Sequence, residues 1–276
     1  MTFSIVAADL DASPSPEWGV AMASKFLAVG AVVPWARANV GAVATQALAN
    51  IAYGPDGLDL LAAGADASSV LERLTAEDEL KSQRQAGVVD AKGRAATFTG
   101  DECFDFAGGV AGEGFTCQGN ILTGPGVVDE MARAFEASSG DLAARLVEAL
   151  QAGDAAGGDR RGRQSAALLV VREGGGYGGG TDKTVELRVD DHDSPVQELT
   201  RLLELHRLYF PRPDELEFIP VDNALRSELV SLLGGRGYTS DFKDALYAYI
   251  GTENLEERWR DETQIERGVL EHLRGR

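Results

Sequence analysis

The sequence predicts an α+β protein in two parts. Residues 1–193 read as two antiparallel sheets between two helical layers, a four-layer αββα sandwich, and residues 194–276 read as a small helical domain. Three observations lead there. Strand-like and helix-like segments come in blocks, in the order strands, helices, strands, helices, strands. Turns rich in glycine, proline and aspartate separate the blocks. Near Asp193 the composition shifts to a helix-dominated stretch of about 80 residues, within the size at which a domain can fold alone.

Each element follows from local pattern. Thr2–Ala8 is a run of β formers, DLDASPSPE is a turn with two prolines, and Trp18–Lys25 reads as the returning strand. Val40–Gln46 alternates small and apolar residues, as a strand buried on both faces does. Pro55–Ala63 has proline in its first turn, and Ala67–Leu74 has serines placed to cap it, so both are predicted helices. Residues 84–100 read as a hairpin turning at Asp90–Gly93. Pro125–Ala137 and Asp141–Ala152 carry apolar residues at helical spacing. Ser165–Val171 and Thr184–Val189 are strands, with GGGYGGG as a flexible hairpin loop between them. Beyond Asp193, PVQELTRLLELHRLYF has a clear apolar stripe, the loop PRPDELEFIP follows, and EERWRDE reads as a solvated charged face around Trp259.

Composition excludes several functions. Asp and Glu number 44 against 26 Lys and Arg, a net charge of −18, so neither phosphate backbones nor anionic membranes are expected partners. Cys103 and Cys117 form no CxxC pair, and His192, His206 and His272 are far apart in sequence, so no metal or other cofactor is expected. MTFSIVAADL lacks a basic leader, and no stretch approaches the ~20 apolar residues of a membrane span. The expected compartment is the cytoplasm.

Several stretches together carry a family resemblance: TFSIVAAD, GVAMASKFLAVGAVVPWARANVGAVATQALAN, YGPDGL, QGNIL and GGDRRGRQSAALLVV. They are similar to a widespread prokaryotic family of unknown function with an N-terminal-nucleophile (Ntn) hydrolase-like fold, some of whose members are labelled fimbrial or pilin assembly proteins. The tail from LRVDDH to NLEERW resembles a peptidoglycan-binding-like domain appended to that family. The resemblance implies the sandwich fold and an amidohydrolase acting on a small amide or peptide-like substrate. Against proteasome-type enzymes the sequence departs from pattern. Their catalytic Asp falls where this chain has Ala23-Ser24-Lys25, and their catalytic Lys falls where it has Arg37-Ala38-Asn39.

In Ntn chemistry the first residue attacks an amide and its own α-amine, with a pKa near ~7.7–8, takes the proton. Thr2, exposed by removal of Met1, is the nucleophile candidate, and equally an ordinary strand threonine. Ser4 shares its strand face, as a hydroxyl partner or a small core residue. Lys25 either assists the nucleophile or snorkels from the strand end, with Ser24 beside it to orient the amine or simply to pack. Asn120 is an oxyanion donor or a turn residue, and Gln118 is expected on the opposite side. Asp159 and Ser165 match the order of the residues that support the N-terminal amine in proteasome-like enzymes. Arg161, with Arg160 and Arg163, could grip a substrate carboxylate or pair with surface acids; Arg84 is a weaker binding candidate. Two other functions compete: a silent scaffold for ligand binding or oligomerisation, and a cell-wall or pilus-associated protein. The helical domain reads first as a docking or dimer module, so a homodimer or higher homo-oligomer is expected.

Overall fold

The computed structural model describes residues 2–212 and 216–275. Part of the PRPDELEFIP loop, residues 213–215, lies outside them, as does Met1. The chain divides into two compact units, residues 1–202 and 203–276.

In the first unit, β1 (Thr2–Asp9), β2 (Glu17–Ser24), β7 (Gly108–Gly112), β8 (Phe115–Asn120), β9 (Ser165–Val171) and β10 (Lys183–Val189) form one antiparallel sheet in the order β10-β9-β2-β1-β8-β7. A second sheet of β3 (Pro34–Arg37), β4 (Gly41–Ala47), β5 (Arg84–Asp90) and β6 (Ala95–Thr99) is ordered as numbered, also antiparallel. The two sheets pack face to face. Helices α3 (Gly126–Ala137) and α4 (Leu142–Ala155) cover the outer face of the first, and α1 (Tyr53–Ala62) and α2 (Ala67–Ala76) cover that of the second.

Alternation along the strands explains this layering. On β1, Val6 and Ala8 join Trp18, Val20 and Met22 of β2 and Ala42 and Ala44 of β4 in the core between the sheets. Phe3, Ile5 and Ala7 point the other way, towards the helices. Trp18 also donates its indole N–H to the Asp90 carbonyl, 3.1 Å away on the opposite sheet. This satisfies the one polar atom of a ring that is otherwise core. Asp66 rather than a serine caps α2: its carboxylate accepts the Ser69 N–H at 2.8 Å. Within this sandwich β3 in PWAR and β7 in GGVAG had no sequence forecast, because neither carries a β-branched run.

The second unit is chiefly helical. It comprises the end of α5 (Pro195–Tyr209), α6 (Asn223–Gly235), α7 (Phe242–Thr252) and α8 (Arg267–Arg274), with a two-stranded sheet of β11 (Phe218–Pro220) and β12 (Gln264–Glu266). Leu229, Leu233, Leu246, Tyr249, Val269 and Leu273 make its core, and burial raises the Tyr249 phenol to about 12. The stretch EERWRDE is not simply a solvated face. Arg258 is largely buried, ion-paired with Glu266 at 2.5 Å and donating to the carbonyls of Arg207 and Leu208. Trp259 packs edge-on against Tyr247. No described helix is long and apolar enough to cross a membrane.

Candidate functional site

The registers of four adjacent strands place four polar residues in one line. Ser165 pairs with Ser24, Thr2 follows the Phe3–Ala23 pair and so stands beside Ser24, and Thr2 pairs with Asn120. Directly opposed residues share a face of the sheet. The row Ser165–Ser24–Thr2–Asn120 therefore lies across the inner face at one end of the sandwich. Thr2 donates its hydroxyl to Ser24 Oγ at 3.2 Å. At 3 % exposure Thr2 is enclosed, as are its three companions.

Directly inside the row is a hydrogen-bonded layer of amides. Ser4 Oγ donates to Gln46 Oε1 at 2.7 Å and accepts from Gln118 Nε2 at 2.6 Å. Gln46 Nε2 donates to Gln85 Oε1 at 2.8 Å and to the Thr2 carbonyl at 3.3 Å. Asn120 Nδ2 also reaches Gln85 Oε1, at 2.8 Å, and Gln85 Nε2 donates to the Gly119 carbonyl at 2.7 Å. Gln46 and Gln85 come from the second sheet, so the layer spans the gap between the sheets. A Cβ at Gly87 would stand 2.2 Å from Gln118 Oε1; only glycine leaves that amide its space. Gln118 and Asn120, two residues apart on β8, share the inner face, contrary to the expectation that Gln118 points away. The three glutamines were missed as a set. Their signal was there, one Gln on each of three strands, but only the register brings them to one level.

The other candidates divide. Ser165 is in the row, but its hydroxyl donates to the Phe26 carbonyl at 2.5 Å and accepts the Val29 N–H at 3.1 Å, bracing the turn after β2. Lys25 stands one residue past the row, exposed, with Nζ on the Arg163 carbonyl at 3.1 Å. Asp159 is buried beside it. It accepts the Lys25 N–H at 2.9 Å and pairs with Arg161 at 2.8 Å. Asp154 similarly holds Arg163 at 2.7 Å, and this pairing raises the Arg163 pKa. Arg84 lies outside the row. Its Nε is 2.9 Å from Asp78, which also accepts from Tyr53 and Asn50. Hydrogen bonding from Arg84 first, then from Tyr53 and Leu80, holds the Asp78 carboxyl well below the usual range.

A cavity of about 80 Å³, lined by Phe3, Ala23, Ser24, Asp154, Asp159 and Arg163 among others, adjoins the row from the helix side. It has room for a few water molecules. Three non-glycine residues at this end have left-handed backbone: Ala28 after β2 (φ 53°), Ala47 at the end of β4 (φ 65°) and Ile121 after β8 (φ 50°). Each costs roughly 1–2 kcal/mol, and such strain tends to gather at functional sites.

Chemically, the row offers a hydroxyl whose proton already points at a second hydroxyl, flanked by a carboxamide. Among the described residues no imidazole, ammonium or carboxylate touches Thr2 Oγ1. A serine hydroxyl cannot hold the proton at neutral pH, so deprotonation needs another base. Nor do the described residues gather three or more metal-ligating side chains.

Comparison with known proteins agrees with this two-part organisation. Residues 2–199 match a model described as "Family of unknown function (DUF1028)", and residues 209–273 match a model of a peptidoglycan-binding-like domain. A crystal structure of a DUF1028-family protein from Silicibacter pomeroyi is similar at 33 % identity and a TM-score of 0.68, covering 75 % of this chain and 86 % of that one. No curated protein matches.

Proposed function

The chain belongs to the DUF1028 family of unknown function, and from that premise we propose that its first unit is an Ntn-type amidohydrolase with Thr2 as nucleophile. The carrying observation is the row itself, with Thr2 Oγ1 aimed at Ser24 Oγ and Asn120 opposed across the next strand. Two antiparallel sheets packed between two pairs of helices, with the first strand central, suit an Ntn sandwich. Once Met1 is removed, the α-amine of Thr2 supplies the base that the described side chains lack. Thr2 Oγ attacks the carbonyl of a small amide or peptide-like substrate, the proton passes through the amine to the leaving nitrogen, and water then hydrolyses the ester. Ser24 orients the nucleophile. Asn120, with one amide N–H on Gln85, offers its other N–H to the developing oxyanion.

The intact mass of the purified protein, followed by periodate treatment, tests the premise. An N-terminal threonine is cleaved by periodate and an internal one is not. Turnover of an amide panel by the wild type and not by Thr2→Ala supports the mechanism; retained Met1, or turnover indifferent to Thr2→Ala, ends it. One observation favours a silent scaffold instead: Thr2 is 3 % exposed, and Ser4, Gln46 and Gln118 are consumed by mutual hydrogen bonds. The match at residues 209–273 suits a role at the cell wall for the second unit. Pull-down on purified peptidoglycan tests that role separately.

A further inference from the structure

The loops around the row carry a second pattern. Among the described residues, six of the large exposed apolar side chains are Phe26, Leu27, Leu48, Ile51, Leu80 and Phe104. All lie in loops at the Thr2 end of the sandwich, as the strand registers require. Hydrogen bonds fix part of this rim in order. The Lys25 N–H is held by Asp159; Arg160, next in sequence, donates its N–H to the Ile121 carbonyl at 2.9 Å; and Ile121 donates to the Phe104 carbonyl at 2.9 Å. An arc thus runs from Leu27 and Phe26 through Lys25 and Arg160 to Phe104. Phe26, Leu27 and Phe104 are 51 %, 59 % and 72 % exposed. Beneath the arc, the carboxylates of Asp154 and Asp159 are taken up by Arg163 and Arg161. Among the described residues no carboxylate lies within ion-pair distance of the exposed Lys25 or Arg160. In a chain of net charge −18, the exposed Arg160 and the exposed Lys25, whose ammonium also donates to the Arg163 carbonyl at 3.1 Å, stand among aromatic and aliphatic side chains and complement an anion that carries an apolar group.

We propose that this arc binds an N-acyl amino acid, its carboxylate on Lys25 and Arg160 and its acyl chain against Phe26, Leu27 and Phe104, so that its amide faces the row. The placement of the amide rests on Thr2 being the nucleophile; the recognition of the amphiphile does not. In turnover the amide C–N bond breaks, Thr2 Oγ holds the acyl group as an ester, and the amino acid leaves with the proton. Water then releases the carboxylic acid.

Calorimetry on the full-length Thr2→Ala protein separates the two claims, because nothing is consumed. Three probes serve: N-decanoylglycine, N-decanoylglycinamide, which lacks the carboxylate, and N-acetylglycine, which lacks the chain. N-decanoylglycine is expected to bind saturably, about tenfold tighter than its amide and at least about a hundredfold tighter than N-acetylglycine. Lys25→Gln with Arg160→Gln should remove the advantage over the amide and leave the amide's own affinity unchanged. Phe26→Ser with Phe104→Ser should weaken both decanoyl probes. Equal binding of the three probes, no saturable binding, or binding indifferent to these substitutions overturns the proposal, as does ultracentrifugation showing that the Phe26→Ser/Phe104→Ser change only dissolves a dimer. Glycine release from N-decanoylglycine by the wild type is measured separately. Binding without release refutes Thr2 catalysis and leaves the arc standing.

Discussion

Gln46 and Ser4 belong to opposite sheets and are joined by a 2.7 Å hydrogen bond in fully enclosed surroundings. Gln46 simultaneously reaches the Thr2 carbonyl and Gln85. Its replacement by leucine leaves several buried polar groups unsatisfied. Because each costs about 1–3 kcal/mol, Gln46→Leu should destabilise the first unit by roughly 2–4 kcal/mol in denaturant unfolding. A loss below about 0.5 kcal/mol would show that the amide layer is energetically idle.

Gly87→Ala places a methyl group into the Gln118 amide. The amide must rotate out of its bonds to Ser4, so a loss of about 1–3 kcal/mol is expected. Restoration by the double change Gly87→Ala with Gln118→Ala is the diagnostic result, since it removes the obstructed group. Failure of the second change to recover any stability would place the strain elsewhere.

Ser24→Ala removes the acceptor of the Thr2 hydroxyl without opening a large void. Unfolding free energy should change by less than about 1.5 kcal/mol, whereas turnover of any amide the wild type cleaves should fall by about tenfold or more. If Ser24→Ala leaves turnover unchanged, the serine is a packing residue only.

Acid should act through Asp78. Its folded-state carboxyl is held below the ordinary value near ~3.9 by Arg84, so it contributes stability that is fully present above about pH 5. That contribution is lost progressively as pH falls through 4 towards the folded-state value. The thermal midpoint of the wild type should therefore drop more steeply between pH 5 and 2.5 than that of Asp78→Asn, which starts lower. Parallel slopes would exclude Asp78 as the titrating group.

In the second unit, Glu266 both pairs with Arg258 and accepts the Gly268 N–H at the start of α8. Glu266→Ala leaves a buried guanidinium uncompensated, and a loss of about 3–5 kcal/mol is expected. The change should appear in the unfolding of this unit, followed through Trp259 fluorescence; an unchanged transition would mean that Arg258 finds another acceptor.

The strands and helices were legible wherever periodicity was strong: β1, β2, β4, the β5–β6 hairpin and the α3–α4 pair follow from residue pattern alone. Thr2, Ser24, Asn120 and Ser165 were chosen from four distant stretches on the family resemblance, not on pattern, and the registers bring these four side by side. Gln46, Gln85 and Gln118 were not legible, because a glutamine inside a strand reads as an outward residue until the opposing sheet supplies its partners. Arg84 looked like a ligand-binding cation for the complementary reason. Its carboxylate, Asp78, sits only six residues earlier, yet a turn had to be drawn correctly to see that they meet.

The position of β1 has a kinetic consequence. It is flanked by β2 and β8, and the latter ladder joins residue 2 to residue 120. Such distant pairing is slow, and during synthesis it cannot begin until nearly half of the chain has been made. Before then Thr2 is within reach of an aminopeptidase; afterwards it is 3 % exposed. Under the mechanism proposed above, removal of Met1 would compete with completion of the sheet. The speed of translation, as much as the specificity of the peptidase, would set what fraction of molecules carries a free threonine amine.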